Sequence, residues 1–182
     1  MPPVIPPPVL RIISCLTNKA ELLETVEHEL VGKYGPIVLE SEAFEFELST
    51  YYEDEMGDQL ERYWFCFEEL FGAETLSEYR LETEQIEQRH SSAKGRVVNL
   101  DPGYLDYHKL VLASLKEGAD KIYMGKGVWA HTCLRFRHGC FTAPDHSFAD
   151  FKDGRFNSFM KEAREEYRNL LRQHRKFRSA DQ

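Results

Sequence analysis

Residues Arg96 to Lys116 read RVVNLDPGYLDYHKLVLASLK. A short β-branched run, Val97 to Leu100, is interrupted by Asp101-Pro102-Gly103. Proline fixes φ and removes an amide donor, and glycine admits positive φ, so this reading gives a strand followed by a sharp, rigid turn. The apolar positions after it predict a short buried helix from Tyr107 to Lys116. Polar groups on a rigid turn are held in place, which marks Asn99, Asp101 and Tyr104 as site residues. Asn99 and Asp101 flank Leu100 and therefore share one face of the strand. They suit a pair of ligand-binding or metal-binding groups; equally, Asp101 suits a cap on the turn's backbone amides.

Upstream of that stretch, Leu10 to Leu16 is β-branched and apolar, the composition of a buried strand. Asn18 and Glu21 form a capping-box-like pair before Leu22, Leu23, Val26, Leu30 and Val31, and Gly35-Pro36 stops the pattern, giving a helix from Asn18 to Tyr34. A second strand begins at Ile37, and Phe44 to Leu48 alternates at period two. Tyr63 to Phe67 reads as a third strand and Leu76 to Arg89 as a helix. With Val97 to Leu100 as the fourth strand, the order strand, helix, strand, strand, helix, strand is the split βαβ pattern of a ferredoxin-like core. Downstream come strands at Lys121 to Met124 and Val128 to Phe136, a hairpin turning at His138-Gly139, and an amphipathic helix from Asn157 to Arg172.

The fold class expected is therefore α+β: a mostly antiparallel sheet with a ferredoxin-like split βαβ core, an extra C-terminal hairpin and a covering helix, the helices lying on one face. Residues 1–9, proline-rich (MPPVIPPPV), read as a disordered tail, and 10–182 as a single α+β domain. The expected core contains Ile12, Leu23, Val26, Phe65, Ile86, Val98, Leu112, Ile122 and Phe159.

Composition narrows the partners. The 42% hydrophobic content excludes wholesale disorder, and no apolar run approaches the roughly 20 residues of a membrane span. The four cysteines form no C-x-x-C pair and no secretory signal is apparent, so a reducing, cytoplasmic location is expected. Glu21 to Glu87 holds 20 acidic residues against Lys33, Arg62 and Arg80, whereas Lys152 to Arg178 holds nine basic residues against four acidic ones. The acidic body would repel phosphate backbones and the basic end interleaves with Glu at helical spacing, so nucleic acid is not the expected partner. A small-molecule ligand is, and the oligomeric state stays open.

Three clusters carry the candidate chemistry. The first, Thr50 to Gly57 (TYYEDEMG), places Tyr51 and Tyr52 beside Glu53, Asp54 and Glu55, oxygen donors that suit a divalent cation or a cationic or hydroxylated ligand, and that equally suit a solvated polar loop in an acidic region. The second is the Asn99 to Tyr104 stretch with Lys116 beyond it. The third, Gly125 to Thr132 (GKGVWAHT), puts Trp129 and His131 on one face after two glycines that permit close approach by a ligand. An unperturbed pKa near 6.5 fits His131 for proton transfer. No metal motif of diagnostic His or Cys spacing is present.

Taken together, TYYEDEMG, RVVNLDPGYL, KLVLASLK and KIYMGKGVWAHT, in this order and spacing, resemble the prokaryotic family called domain of unknown function 4416, from Leu10 to about Leu171. The resemblance implies Tyr51, Tyr52, Glu53, Glu55, Met56, Gly57, Asn99, Asp101, Pro102, Gly103, Tyr104 and Lys116 as parts of the family pattern. Family members commonly carry an acidic residue where this chain has Lys126 and Glu where it has His131, which lowers both as catalytic candidates. Members often bear the label "GTP-binding protein", yet the chain lacks the G-x-x-x-x-G-K-[ST] sequence that cradles phosphates in a P-loop.

Two readings follow. In one, a small enzyme acts on a phosphorylated or nucleotide-like substrate: Glu53, Glu55 and Asp101 bind a divalent metal such as magnesium or serve as acid and base, and Lys116 meets phosphate. In the other, a non-catalytic ligand-binding or interaction module has an aromatic-acidic pocket lined by Tyr51, Tyr52, Asn99, Tyr104, Trp129 and His131.

Overall fold

The structure, a computed structural model, describes residues 2–46, 53–93 and 95–180, and the side chains of all of these except 53, 54 and 177–180. In chain order the first elements are β1 (Leu10–Thr17), α1 (Ala20–Tyr34), β2 (Ile37–Glu40), β3 (Phe44–Glu45), the single turn α2 (Glu53–Met56) and β4 (Glu61–Phe67). They are followed by α3 (Leu76–Arg89), β5 (Val98–Leu105), β6 (Lys109–Ser114), β7 (Ile122–Gly125), β8 (Val128–Arg137), β9 (Cys140–Thr142), the short α4 (Ala149–Lys152) and α5 (Asn157–Ala180).

The strands make one sheet in the order β2-β4-β1-β5-β6-β8-β7, with β3 also beside β4 and β9 beside β8. Every pairing between named strands is antiparallel. The first four positions, β2-β4-β1-β5, connected through α1 and α3, have the expected split βαβ arrangement. β6, β8 and β7 extend that sheet beyond β5.

Helices cover both faces of the sheet, not one. The cause is visible in β1, where Ile13 and Cys15 enter one core while Leu10 and Ile12 enter the other. Successive side chains of a strand point to opposite faces, so consecutive apolar residues demand two covers. Val26 and Leu30 of α1, with Leu76, Tyr79 and Ile86 of α3, fill the first core. Phe159, Met160, Ala163, Tyr167 and Leu171 of α5 fill the second, against Trp64, Cys66 and Leu110. Among the expected core residues, Leu23 is partly buried and Ile122 is 70% exposed, because β7 is the edge strand.

Two further expectations are corrected at the opening stretch. Asp101-Pro102-Gly103 makes no turn: β5 runs through it, with Asp101 opposite Ser14, Pro102 opposite Ile13 and Gly103 opposite Ile12. Gly103 has no positive φ; a Cβ there would instead collide with the Val111 carbonyl oxygen and press on Leu112. The glycine serves the close approach of β6. Secondly, Lys109 to Ser114 is a strand, reached by a turn in which Asp106 Oδ1 accepts the amides of His108 (2.7 Å) and Lys109 (2.9 Å). Leu110 and Leu112 face one core and Val111 and Ala113 the other, so the uninterrupted apolar run carries no alternation to separate strand from buried helix.

At α1 the cap differs too. Lys19 stands at the N-cap without a side-chain bond, its amide donates to Thr17 Oγ1 at 3.1 Å, and Asn18 Nδ2 donates to the Asp58 carbonyl at 3.3 Å. Among the described residues no helix is long and apolar enough to cross a membrane.

Candidate functional site

The β5–β6 ladder pairs Leu105 with Leu110, Tyr104 with Val111 and Gly103 with Leu112, and stops there. The same register carried on would set Asp101 against Ser114 and Asn99 against Lys116. Those pairs do not form, and Pro102, which cannot donate to a ladder, stands where the pairing ends. The strands part, and a cavity of about 670 Å³ opens between them. That size lies within the ~300–1,000 Å³ of small-molecule sites. Its walls come from both layers: Arg80, Glu84, Glu87 and Gln88 of α3 on one side, and Phe148 to Phe151 on the other.

Register fixes which side chains meet there. Ser14 faces Asp101, Leu16 faces both Arg62 and Asn99, and Leu112 faces His131, so Ser14, Arg62, Asn99, Asp101 and His131 all project from the face that α5 covers farther along. Arg62 is buried and shared. Its Nη1 donates to Ser14 Oγ and lies 3.5 Å from Asp101 Oδ2, while its Nε lies 3.1 Å from Asp150 Oδ2. Burial raises the Asp150 carboxyl above its ordinary pKa despite the opposing Arg62 charge.

On the α3 side, Arg80 Nη2 donates to Glu87 Oε2 at 3.0 Å, and the Leu100 amide donates to Glu87 Oε1 at 2.6 Å. Burial raises the Glu87 pKa as well, with Arg80 opposing. At the cavity's third side, half-buried Lys121 donates from Nζ to Ser114 Oγ and to the Lys116 carbonyl, both at 2.8 Å. No described carboxylate lies within ion-pair distance of that ammonium, and burial lowers its pKa.

Arg62 Nε and Asp150 Oδ2 face each other as an ion pair without hydrogen-bond geometry, and two further buried side chains on the wall have polar atoms left over. Asn99, 3% exposed, accepts from Arg96 Nη1 through Oδ1 at 2.7 Å, but its Nδ2 has no partner among the described residues. His131, 7% exposed, makes no well-formed hydrogen bond through either ring nitrogen, the Leu112 backbone offering only a weak one. Burial, reinforced by Lys121, depresses the His131 pKa to about 4. The ring is therefore neutral near pH 7, with one nitrogen a donor and the other an acceptor.

Of the expected site residues, Asn99, Asp101, Lys116 and His131 line this cavity. Glu55 reaches it at one remove: Arg96 donates to Glu55 from its backbone amide (3.0 Å), Nε (2.9 Å) and Nη2 (2.8 Å) while its Nη1 holds Asn99. The hydrogen bonds from Arg96, foremost, lower the Glu55 pKa. Tyr51 and Tyr52 lie outside the described residues, as does the side chain of Glu53. Tyr104 instead lines a separate cavity of about 430 Å³ with Lys109 and Arg135, and Trp129 packs on Tyr123 with ring centroids 4.9 Å apart. Lys126 pairs with Glu78 on the surface at 2.6 Å.

Sequence reading missed Arg62, Arg80, Glu87, Arg96, Lys121 and Asp150. A signal existed for two: Arg80 and Glu87 stand seven residues apart on the face of α3 that also carries Tyr79, Thr83 and Ile86, so a buried ion pair was legible there. Lys121 and Asp150 had none, since both are brought in by register and by chain returning from far away. Among the described residues no three His, Cys, Asp or Glu side chains are grouped to hold a metal ion.

Residues 7–167 match the family described as "Domain of unknown function (DUF4416)", and the chain belongs to that family. No curated protein and no solved structure matches the chain.

Proposed function

We propose that this protein binds a small phosphorylated molecule, nucleotide-like compounds included, in the cavity between β5 and β6. The observation that carries this reading is the pair of buried side chains with polar atoms left unpaired, Asn99 through Nδ2 and His131 through its ring, on a cavity wall that also holds Lys121, with no carboxylate among the described residues within ion-pair distance. A buried polar group without a hydrogen bond costs ~1–3 kcal/mol, so a ligand that supplies the missing partners recovers that cost on binding. Lys121, with Lys116 beside it, provides positive charge for the anionic part, and Phe46, Phe148 and Phe151 provide apolar surface for the rest.

The donor set favours ammonium groups over a carboxylate-held divalent metal as the means of holding phosphate. Glu55 is engaged through both oxygens by Arg96, and Asp101 is drawn to Arg62. Isothermal titration calorimetry with inorganic phosphate, AMP, GTP and ATP, with and without magnesium, tests the proposal. The expected result is magnesium-independent binding of at least one of these, lost in Lys121→Met and kept in Lys126→Ala. Absence of binding by all four, or binding that needs magnesium and survives Lys121→Met, overturns it.

A further inference from the structure

The two lysines on the cavity wall, Lys116 and Lys121, stand beyond β6, and among the described residues Lys121 donates to the neutral oxygens of Ser114 and Lys116. The opposite wall, β5, carries Asp101. Had the ladder continued, Asp101 would face Ser114, the residue that holds Lys121, so the acid and the ammonium look at each other across the parted strands.

Asp101 is only partly used by the protein. Its Oδ2 lies 3.5 Å from Arg62 Nη1, an ion pair too long for a good hydrogen bond, and its side chain accepts none among the described residues. Arg62 is already occupied more closely by Asp150 at 3.1 Å and by the Ser14 hydroxyl. With Asp150 ionised, the trio Arg62, Asp150 and Asp101 carries one net negative charge. Asp101 is its partly exposed member, with 28% of its side chain accessible against 2% for Asp150.

We propose that the ligand is dipolar: an anionic group seated at Lys121 and, at its other end, an amine received by Asp101. This rests on the phosphate-binding reading above and narrows it to amino-substituted phosphates. A carboxylate with open acceptor positions discriminates strongly for a charged donor, because a charge-assisted hydrogen bond is roughly twice as strong as a neutral one. A ligand lacking the amine would leave Asp101 facing apolar or anionic atoms inside a partly desolvated cavity.

The test compares two probes of nearly equal size by calorimetry, O-phosphoethanolamine and ethyl phosphate, on the full chain. On the unaltered protein phosphoethanolamine should bind about tenfold tighter or more, the worth of one hydrogen bond to a charged group. In Asp101→Asn the preference for O-phosphoethanolamine over ethyl phosphate should shrink toward unity. Lys121→Met should weaken both probes alike. Equal affinities on the unaltered protein, or a preference that persists in Asp101→Asn, overturn the dipolar ligand while leaving phosphate binding intact. If neither probe binds, phosphate binding itself fails and the dipolar ligand fails with it. The comparison on the unaltered protein stands without any variant.

Discussion

His131 should make the stability of this protein depend on pH in a direction and size that follow from its burial. Its folded pKa is depressed to about 4 from an ordinary value of 6.5, with burial the main cause and Lys121 the next. Between those values the unfolded chain binds a proton that the folded chain does not, so stability rises with pH. The contribution is fully present above pH 6.5 and is lost as pH falls through about 4. At about 1.36 kcal/mol per pH unit, the full effect is ~3 kcal/mol. Asp150 and Glu87 act in the opposite sense, because burial raises their folded pKa values. What they contribute is present at low pH and lost as pH rises. They are common to both proteins in a comparison with His131→Gln, whose amide cannot titrate. Urea denaturation at intervals from pH 7.5 to 4 should show the unaltered protein losing ~3 kcal/mol relative to the variant across that range. Parallel curves, or an NMR titration of the His131 ring with a midpoint near 6.5, would show that burial does not hold the ring neutral.

Three other substitutions probe the frame of the site. Gly103→Ala should cost ~3 kcal/mol or more in urea denaturation, because the new methyl meets the Val111 backbone carbonyl, which has no rotamer to change. Arg62→Met, which leaves the buried Asp150 without its cation, should cost ~3–5 kcal/mol near neutral pH. That loss should lessen toward acid pH as Asp150 takes up a proton, and a loss independent of pH would count against the pairing. Met160→Ala on α5 should cost ~2–5 kcal/mol, since Met160 is fully buried in the second core; a loss below 1 kcal/mol by the same assay would show that α5 does not cover the sheet as described.

The elements were largely legible in the sequence, and their layering was not. The helices α1 and α3, ending at Tyr34 and Arg89, and the hairpin at His138-Gly139 with its two positive φ values, carry local signals that the structure honours. α5 has the clearest pattern and simply runs farther than Arg172. Asp-Pro-Gly misled because its turn propensity is a local property, whereas here the partners decide. β1 pairs along the whole of β5, and Gly103 is required by the neighbouring backbone. β6 misled because a strand buried on both faces loses the alternation that identifies strands. In the site, Asn99 and Asp101 could be placed on one face from their spacing alone. Lys121, His131 and Asp150 join them through register and return of the chain, and no window of sequence contains that geometry.

The cavity between β5 and β6 should hold an oxyanion at Lys121. Crystals soaked in tungstate, a dense tetrahedral stand-in for phosphate, would test it by anomalous diffraction. A peak is expected inside the cavity within hydrogen-bond distance of Lys121 Nζ, absent from Lys121→Met crystals under the same conditions. Tungstate found only outside the cavity, or a cavity peak that persists when Lys121 is replaced, would contradict it.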